Sequence, residues 1–439
     1  MDILIQAAQF VLSLSLLIVL HEMGHFIPAK LFRTKVEKFY LFFDPWFSLL
    51  KKKVGETEYG IGWLPLGGYV KISGMVDESM DKEQLESEPE PWEFRSKPAW
   101  QRLIIMVGGV TVNVILAIII YSGMMMHYGE RYIPTEAIED GLMYGEAAQE
   151  IGLQNGDLVL AVDGEAVERF SNIPKELLLS EKSITVLRDG KRLQLEVNSQ
   201  QKKGLIQAKR GMLNLRFPYV IGDFSDSSLA QQAGLQKGDS IVSLNGEQYA
   251  YFDQYTSRIP DYAGDTVTLG LYREGQPTEI AVPVNDSGKI GVYAGGFNPR
   301  SLYDVKTVKY GFFAAFPAGL RKAGTVLGDY IRQFDLIFDS ETEAYKEVGG
   351  FITIGSQFDT SWNWQSFWNF TAFLSIMLAF LNILPIPALD GGHVVFVLWE
   401  MVSGRKPPQK VLEYAQMVGF FLLLALIILA NGNDILGLF

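Results

Sequence analysis

Four long apolar segments constrain the fold of this chain more than any other feature of its sequence. They cover residues 3–20, 103–126, 367–399 and 417–430, and the last can be extended back to residue 411. Because about 20 residues of helix cross a bilayer, we predict four transmembrane helices. The alternative, four core helices of a soluble protein, is disfavoured because runs as apolar as the last are rare in soluble proteins.

The charges of the predicted loops orient these helices in the membrane. Lysine and arginine are concentrated in residues 30–53, 95–102 and 405–410, and an excess of these residues marks cytoplasmic loops. Both termini and residues 129–360 are then expected on the opposite side, which is the periplasm for a bacterial inner (cytoplasmic) membrane. The first segment lacks the basic start and the cleavage site of a signal peptide, so we expect it to remain as an anchor.

An internal repeat occupies the region between the second and third segments. Residues 148–167 align without a gap onto residues 230–249, with nine of twenty positions identical. Each copy reads as a short helix, a Gly-Asp turn, an apolar strand and then Asp-Gly or Asn-Gly, which is a strong hairpin signal. The pattern predicts two β-rich domains and resembles the PDZ domains of bacterial proteases. Such domains bind extended peptides or free C-termini by strand addition; a role as simple spacers is the alternative.

Composition narrows the possible chemistry. The chain has no cysteine, four histidines and a formal net charge of −12. Any transition metal must therefore be held by histidine and carboxylate side chains, and nucleic acid is not expected as a partner.

One motif carries metal chemistry. His21, Glu22 and His25 form an H-E-x-x-H pattern at the end of the first apolar segment. On a helix the two imidazoles share a face and can reach one Zn²⁺ ion, while Glu22 can take a proton from water at the metal. Ionisable groups inside a membrane segment are functional by default.

A catalytic zinc site needs a third protein ligand. The other polar cluster within apolar sequence is residues 382–393, which begins with Asn382 and contains Pro385, Asp390 and His393. Its prolines and glycines predict a break in the helix, and broken helices at membrane depth line cavities. The residues alone leave both Asp390 and His393 eligible as the third ligand.

The order of these features resembles the site-2 protease family of intramembrane zinc metalloproteases. The family shares an H-E-x-x-H in the first helix, a distal N-x-x-P-x-x-x-L-D-G and PDZ domains between them. The resemblance implies that Asp390 is the third ligand and that Asn382 matches the family's asparagine. It also implies a multi-pass α-helical membrane protein with two tandem β-rich PDZ-like domains inserted between the second and third helices.

The resemblance implies an activity as well. The enzyme would hydrolyse peptide bonds inside the membrane, near its cytoplasmic side, in single-pass membrane proteins. Pre-trimmed anti-sigma factors and signal-peptide remnants would be its substrates, and membrane lipid would surround it. Residues 54–73 are predicted to form a β-hairpin that dips into the membrane, as in the family. Candidate substrate-binding residues are Asn382, Pro385, Gly67 and Gly68.

The remaining segments complete the predicted organisation. An acidic run at residues 77–93 reads as a solvated loop, and residues 305–346 read as an amphipathic helix on the membrane surface or against the second PDZ-like domain. The predicted order is a first transmembrane helix at 1–30, a cytoplasmic loop with the hairpin and acidic segment at 31–98, a second transmembrane helix at 99–127, PDZ-like domains at 128–214 and 215–300, an amphipathic helix and linker at 301–362, a third transmembrane segment at 363–402 and a fourth at 409–432.

Two other functions account for part of the pattern. A non-catalytic PDZ membrane scaffold would hold a structural metal with His393 as a fourth ligand and would cut nothing. A transporter would use the intramembrane histidines and Asp390 as an ion site and would not need Glu22. Neither explains the repeat and the H-E-x-x-H motif together.

Overall fold

The computed structural model describes residues 2–65, 67–75, 88–207, 212–295, 299–338 and 344–436. Most of the predicted acidic loop, residues 77–87, lies outside them. The chain divides into two compact units. One comprises residues 1–130, 309–338 and 345–439, and is called the helical unit below; the other comprises residues 131–308 and 339–344, and is called the β unit.

Helices and strands are numbered here in chain order. The α-helices of the described residues are α1 (Asp2–Leu31), α2 (Ala99–His127), α3 (Glu146–Glu150), α4 (Ile173–Leu179), α5 (Ser199–Gln207), α6 (Leu229–Gln232), α7 (Phe252–Arg258), α8 (Phe312–Phe338), α9 (Phe351–Ser356), α10 (Trp364–Ile383), α11 (Asp390–Ser403) and α12 (Gln409–Leu436). The strands are β1 (Val36–Leu41), β2 (Phe43–Val54), β3 (Thr57–Leu64), β4 (Tyr69–Ile72), β5 (Glu130–Tyr132), β6 (Leu142–Tyr144), β7 (Leu158–Val162), β8 (Glu165–Ala166), β9 (Ser183–Arg188), β10 (Lys191–Glu196), β11 (Leu213–Leu215), β12 (Tyr219–Phe224), β13 (Ser240–Leu244), β14 (Glu247–Gln248), β15 (Thr266–Arg273), β16 (Gln276–Pro283), β17 (Val292–Ala294) and β18 (Lys306–Val308).

Four helices of the helical unit are long and apolar enough to cross a membrane. They are α1, α2, α10 and α12, which agrees with the four predicted transmembrane helices. The third predicted segment is divided into α10 and α11 by residues 384–389. The break falls at Pro385 and Pro387, because a proline disfavours helix at the residue before it. Gly391 and Gly392 lie inside α11 rather than in the break.

Helix α2 is the centre of the helical unit. Helices α1, α8, α10 and α11 all pack against it. The contact with α1 is especially close, since a Cβ atom added to Gly24 would lie 2.4 Å from the carbonyl oxygen of Gly108. Two glycines at this crossing let the backbones meet.

A four-stranded sheet follows α1, with the strand order β2-β3-β1-β4. The prediction of one hairpin over residues 54–73 is wrong in its pairing. The hairpin is β2–β3, and β4 pairs with β1, which also lies beside β3 in parallel. Strand β1, preceding the predicted segment, lies between β3 and β4 and separates them.

Helix α8 is part of the helical unit, and its two predicted positions stay predictions. It packs along α2 and α10, and its residues Ala315, Ala318 and Ala323 are buried. At Gly319 an added Cβ atom would lie 2.2 Å from Ser122 Oγ on α2. This run of small residues permits the close packing of two helices, and the alternation of charged and apolar residues did not reveal it.

The β unit contains two β-rich copies with matching element order. The first has the strand order β10-β9-β7-β8 with a separate β11-β6 pair, and the second has β16-β15-β13-β12-β17 with β14 beside β13. Each copy has its own buried apolar cluster. The β-rich character predicted from the repeat is therefore present in both halves.

The aspartate shared by the two repeats forms the same network in each copy. Asp157 accepts a hydrogen bond from Gln154 N at 2.8 Å and a bidentate pair from Arg188 at 2.6 and 2.7 Å. Asp239 repeats these contacts with Gln236 N and Arg273. The Gly-Asp dipeptide thus has a structural role in holding the turn to the strand that carries the arginine.

Candidate metal centre

Two helices bring three ligand atoms to one point. His21 and His25 lie one turn apart on α1, and Asp390 is the first residue of α11. The Nε2 atoms of the two histidines are 3.3 Å apart. Each of them also lies 3.3 Å from Asp390 Oδ2. Among the described residues, these two histidines and one aspartate form the cluster that could hold a metal ion.

The geometry of this cluster fits zinc. Three ligands at the usual Zn–N and Zn–O distances of a tetrahedral site lie roughly 3.3 Å from one another. Asp390 Oδ2 is buried and has no hydrogen-bond donor among the described residues. A buried carboxylate oxygen facing two imidazole nitrogens requires a cation between them or protons on the rings.

The second nitrogen of His25 has a partner of its own, which orients the ring. His25 Nδ1 lies 2.8 Å from the carbonyl oxygen of Ile105, which can only accept, so Nδ1 carries a proton. In a neutral imidazole the Nε2 atom is then unprotonated, and its lone pair is available to a metal ion beside Asp390. A backbone carbonyl that orients a ligand histidine in this way is typical of zinc centres.

Asn113 on α2 orients the other histidine. Its side-chain Nδ2 atom lies 3.1 Å from His21 Nδ1, and its Oδ1 atom is buried without a partner among the described residues. Amide oxygen and nitrogen occupy equivalent positions, and the reversed amide lets Oδ1 accept from Nδ1–H. We assign that orientation, because it leaves His21 Nε2 free for a metal.

Glu22 lies beside the ligands and next to the sheet. Its carboxylate is close to the backbone of Val70 on β4. Glu22 lies between the two histidines in the sequence of α1, and its side chain is partly buried. A carboxylate at this position can hold and move a proton next to the metal-binding atoms.

The candidate substrate-binding residues occupy different positions. Asn382 Nδ2 lies 3.4 Å from His21 Nε2, so this residue belongs to the metal centre. Gly68 packs on α1, where an added Cβ atom would lie 2.4 Å from Ile18 Cγ2. Gly67 faces the ring of Phe43, and Pro385 is exposed in the turn between α10 and α11. Their contact with a substrate remains a prediction.

One contributor could not be found from residue types. Ile105 acts through a backbone atom, which leaves no signal in a side-chain pattern. His393 is not part of the three-residue cluster, although it lies only three positions from Asp390. The sequence alone had left it eligible as a ligand.

Comparison with known proteins gives a consistent result. Residues 9–426 match the sequence model of Peptidase family M50. A Vibrio cholerae protein named as a zinc metalloprotease is 27% identical over 99% of both chains. A Campylobacter jejuni protein of similar name is 29% identical over 97% of this chain and 92% of its own. The "Regulator of sigma E protease" of Haemophilus influenzae is 26% identical over 100% of both chains.

Proposed function

Because this chain belongs to Peptidase family M50, a family of zinc metalloproteases, we propose that it hydrolyses peptide bonds within transmembrane segments of single-pass membrane proteins. We assign the zinc to His21, His25 and Asp390, and the proton-transfer role to Glu22. The observation that carries this proposal is the position of the ligands. Two of them lie on α1, which is apolar and long enough to cross a membrane.

The chain's own residues account for the steps that surround the metal. Zn²⁺ at this centre supplies a Lewis acid that lowers the pKa of water and polarises the scissile carbonyl. Glu22 takes the proton of the attacking water and delivers it to the leaving nitrogen. Asn382, at the centre, can donate from its amide to an unwound substrate backbone.

A substrate helix must become extended before it can be cut. Strand β2 lies at the edge of its sheet, and an edge strand can pair with an extended peptide. Its side chains Trp46 and Leu50 are 90% and 67% exposed, and apolar exposure of this kind suits a membrane environment. We assign β2 as the strand that receives the unwound substrate.

The substrate class rests on the β unit and on one relative. We propose that the two β-rich copies are PDZ domains that act as a size filter or read a newly cut end. The second copy has a cavity of about 460 Å³ lined by α7, by the turn before β17 and by β17 itself. Together with a relative named "Regulator of sigma E protease", this supports pre-trimmed anti-sigma factors as substrates, with signal-peptide remnants as a second class.

The location follows from the loop charges. We propose a bacterial inner membrane with the termini and the β unit in the periplasm. The basic residues 30–53 and 405–410 are then cytoplasmic, and the metal centre lies near that side.

A Glu22→Gln variant tests the function. It should retain zinc, because Glu22 is not a ligand, and should lose cleavage of a tagged single-pass substrate by at least about 100-fold. An exposed position in the second β-rich copy provides the control, and Glu274→Gln should cut normally. Full cleavage by Glu22→Gln would end the proposal.

The scaffold hypothesis makes the opposite prediction. It requires a fully ligated metal, with His393 as the fourth ligand, and no proteolysis by the unmodified protein. A zinc ion held by these three ligands would keep one position open, which is the arrangement of catalytic zinc. Cleavage by the unmodified protein in the experiment above would exclude the scaffold.

A further inference from the structure

The turn that presents Asp390 has an unfavourable backbone conformation. Residues 384–389 connect α10 to α11, and Asp390 follows directly. Within this turn Ala388 has a φ angle of +77°, a left-handed conformation that is unfavourable for any residue with a Cβ atom. Such a conformation persists only where neighbouring groups hold it.

Helix α12 supplies one of these neighbouring groups. The Ala388 backbone N–H donates to Gln416 Oε1 at 3.2 Å. Gln416 is only 6% exposed, although it lies on a helix apolar enough to cross a membrane. An amide buried in such a helix is costly unless it is hydrogen-bonded.

A second contact lies three residues further along the same helix. A Cβ atom added to Gly419 would lie 1.6 Å from the carbonyl oxygen of Pro387, so the backbones of α12 and of the turn touch. Gln416, Gly419 and Asp434 are the buried residues of α12. Two of these three therefore contact the turn that precedes the metal ligand.

We propose that Gln416 and Gly419 are positioning residues for Asp390. In this role α12 holds Pro387 and Ala388 in the conformation that directs Asp390 Oδ2 to the two histidines. The inference rests on the proposed zinc site and adds to it a fourth helix that carries no ligand. The simpler alternative is that these contacts only attach α12 to the rest of the helical unit.

Zinc release from the full-length purified protein tests the proposal. In Gln416→Met the side chain keeps its length and loses its acceptor, and we expect zinc to pass to a chelator about tenfold faster. Gln416→Glu keeps the acceptor oxygen and should release zinc at nearly the normal rate. Gln409→Met is the matched control on the same helix, because Gln409 is exposed and bonds only to Glu413 among the described residues.

A second-site change separates positioning from simple attachment of the helix. Glycine adopts a positive φ angle without strain, so Ala388→Gly should restore slow zinc release to Gln416→Met. The visible spectrum of the Co²⁺-loaded protein, which reports ligand geometry, should change in Gln416→Met and return in the double variant. If α12 were only attached by these contacts, Ala388→Gly would restore neither measurement.

Two results would overturn the inference. One is zinc release from Gln416→Met at the normal rate, and the other is no restoration by Ala388→Gly. Asp390→Asn distinguishes these results from failure of the zinc site itself. If Asp390→Asn holds zinc normally, the proposed site is wrong; if it loses zinc while Gln416→Met does not, only the positioning role is wrong.

Discussion

At the scale of single residues, the metal centre depends on which nitrogen of each histidine carries its proton. The Ile105 carbonyl fixes His25, and the Asn113 amide fixes His21. Both partners lie on α2, so one helix orients the two ligands of another. The H-E-x-x-H motif therefore depends on a second helix to orient its two histidines.

Replacing Asn113 should weaken zinc binding without removing a ligand. In Asn113→Leu the His21 ring loses the acceptor for Nδ1–H, and loss of such a partner lowers metal affinity about 10- to 100-fold. Competition with a chelator measures this affinity. Asn113→Asp keeps an acceptor oxygen and should bind zinc more tightly than Asn113→Leu. Equal affinity in the two variants would contradict the orienting role.

At the scale of elements, α11 must be held against α2 for Asp390 to reach α1. A largely buried ion pair joins these two helices, with Arg102 Nη2 at 2.6 Å from Glu400 Oε1. Arg102 Nε also donates to the carbonyl of Lys97 at 3.0 Å, which fixes the arginine at the start of α2. The pair lies near the end of α11 opposite the metal ligand and limits sliding of the helix.

Glu400→Gln should destabilise the helical unit. Removing one charge leaves Arg102 buried without its counter-ion, and a loss of about 2–3 kcal/mol is expected for a pair that is partly accessible to solvent. Thermal unfolding in detergent measures the change. Glu56→Gln is the control, since its pair with Lys30 is more exposed and should contribute less than about 1 kcal/mol. Similar losses of stability in both variants would show that the buried pair stabilises the protein no more than the exposed pair does.

At the scale of the whole molecule, a helical unit with the metal centre accompanies a β unit built from two copies of one pattern. The copies share their element order and the aspartate–arginine network of Asp157 and Asp239. Burial raises the pKa of the Asp239 carboxyl, but hydrogen bonds from Arg273 and from the backbone of Gln236 outweigh it and hold this pKa below its usual range. The ionised form is thus favoured in the folded state.

This pKa shift predicts an acid-sensitive β unit. A carboxyl whose pKa is lowered by folding stabilises the protein above its unfolded pKa, about 3.9, and this stability is lost as the pH falls below that value. Asp239→Asn should therefore be less stable than the unmodified protein at pH 7, with the difference shrinking below about pH 4. Limited digestion, with a neutral protease at pH 7 and an acid-active protease below pH 4, is followed within residues 216–295 and compares both proteins at each pH. A constant difference would contradict the assignment.

The sequence by itself determined the chemistry and the order of the parts. Four apolar runs predict four membrane helices because the bilayer sets their length. The H-E-x-x-H spacing predicts two ligands because helical periodicity places positions i and i+4 on one face. The repeat predicts two β-rich copies because turn residues recur at the same positions. Each of these properties depends on residues that are close together in the sequence, so the sequence alone can reveal it.

Only the tertiary structure decided which distant residues meet. It brings Asp390, rather than His393, to the histidines, because the turn after α10 sets the rotation of α11. It shows α8 beside α2, β1 between β3 and β4, and Gln416 against Ala388. Each of these contacts joins segments separated along the chain, or uses backbone atoms. Such contacts depend on close packing between whole elements, which no local pattern of residue types encodes.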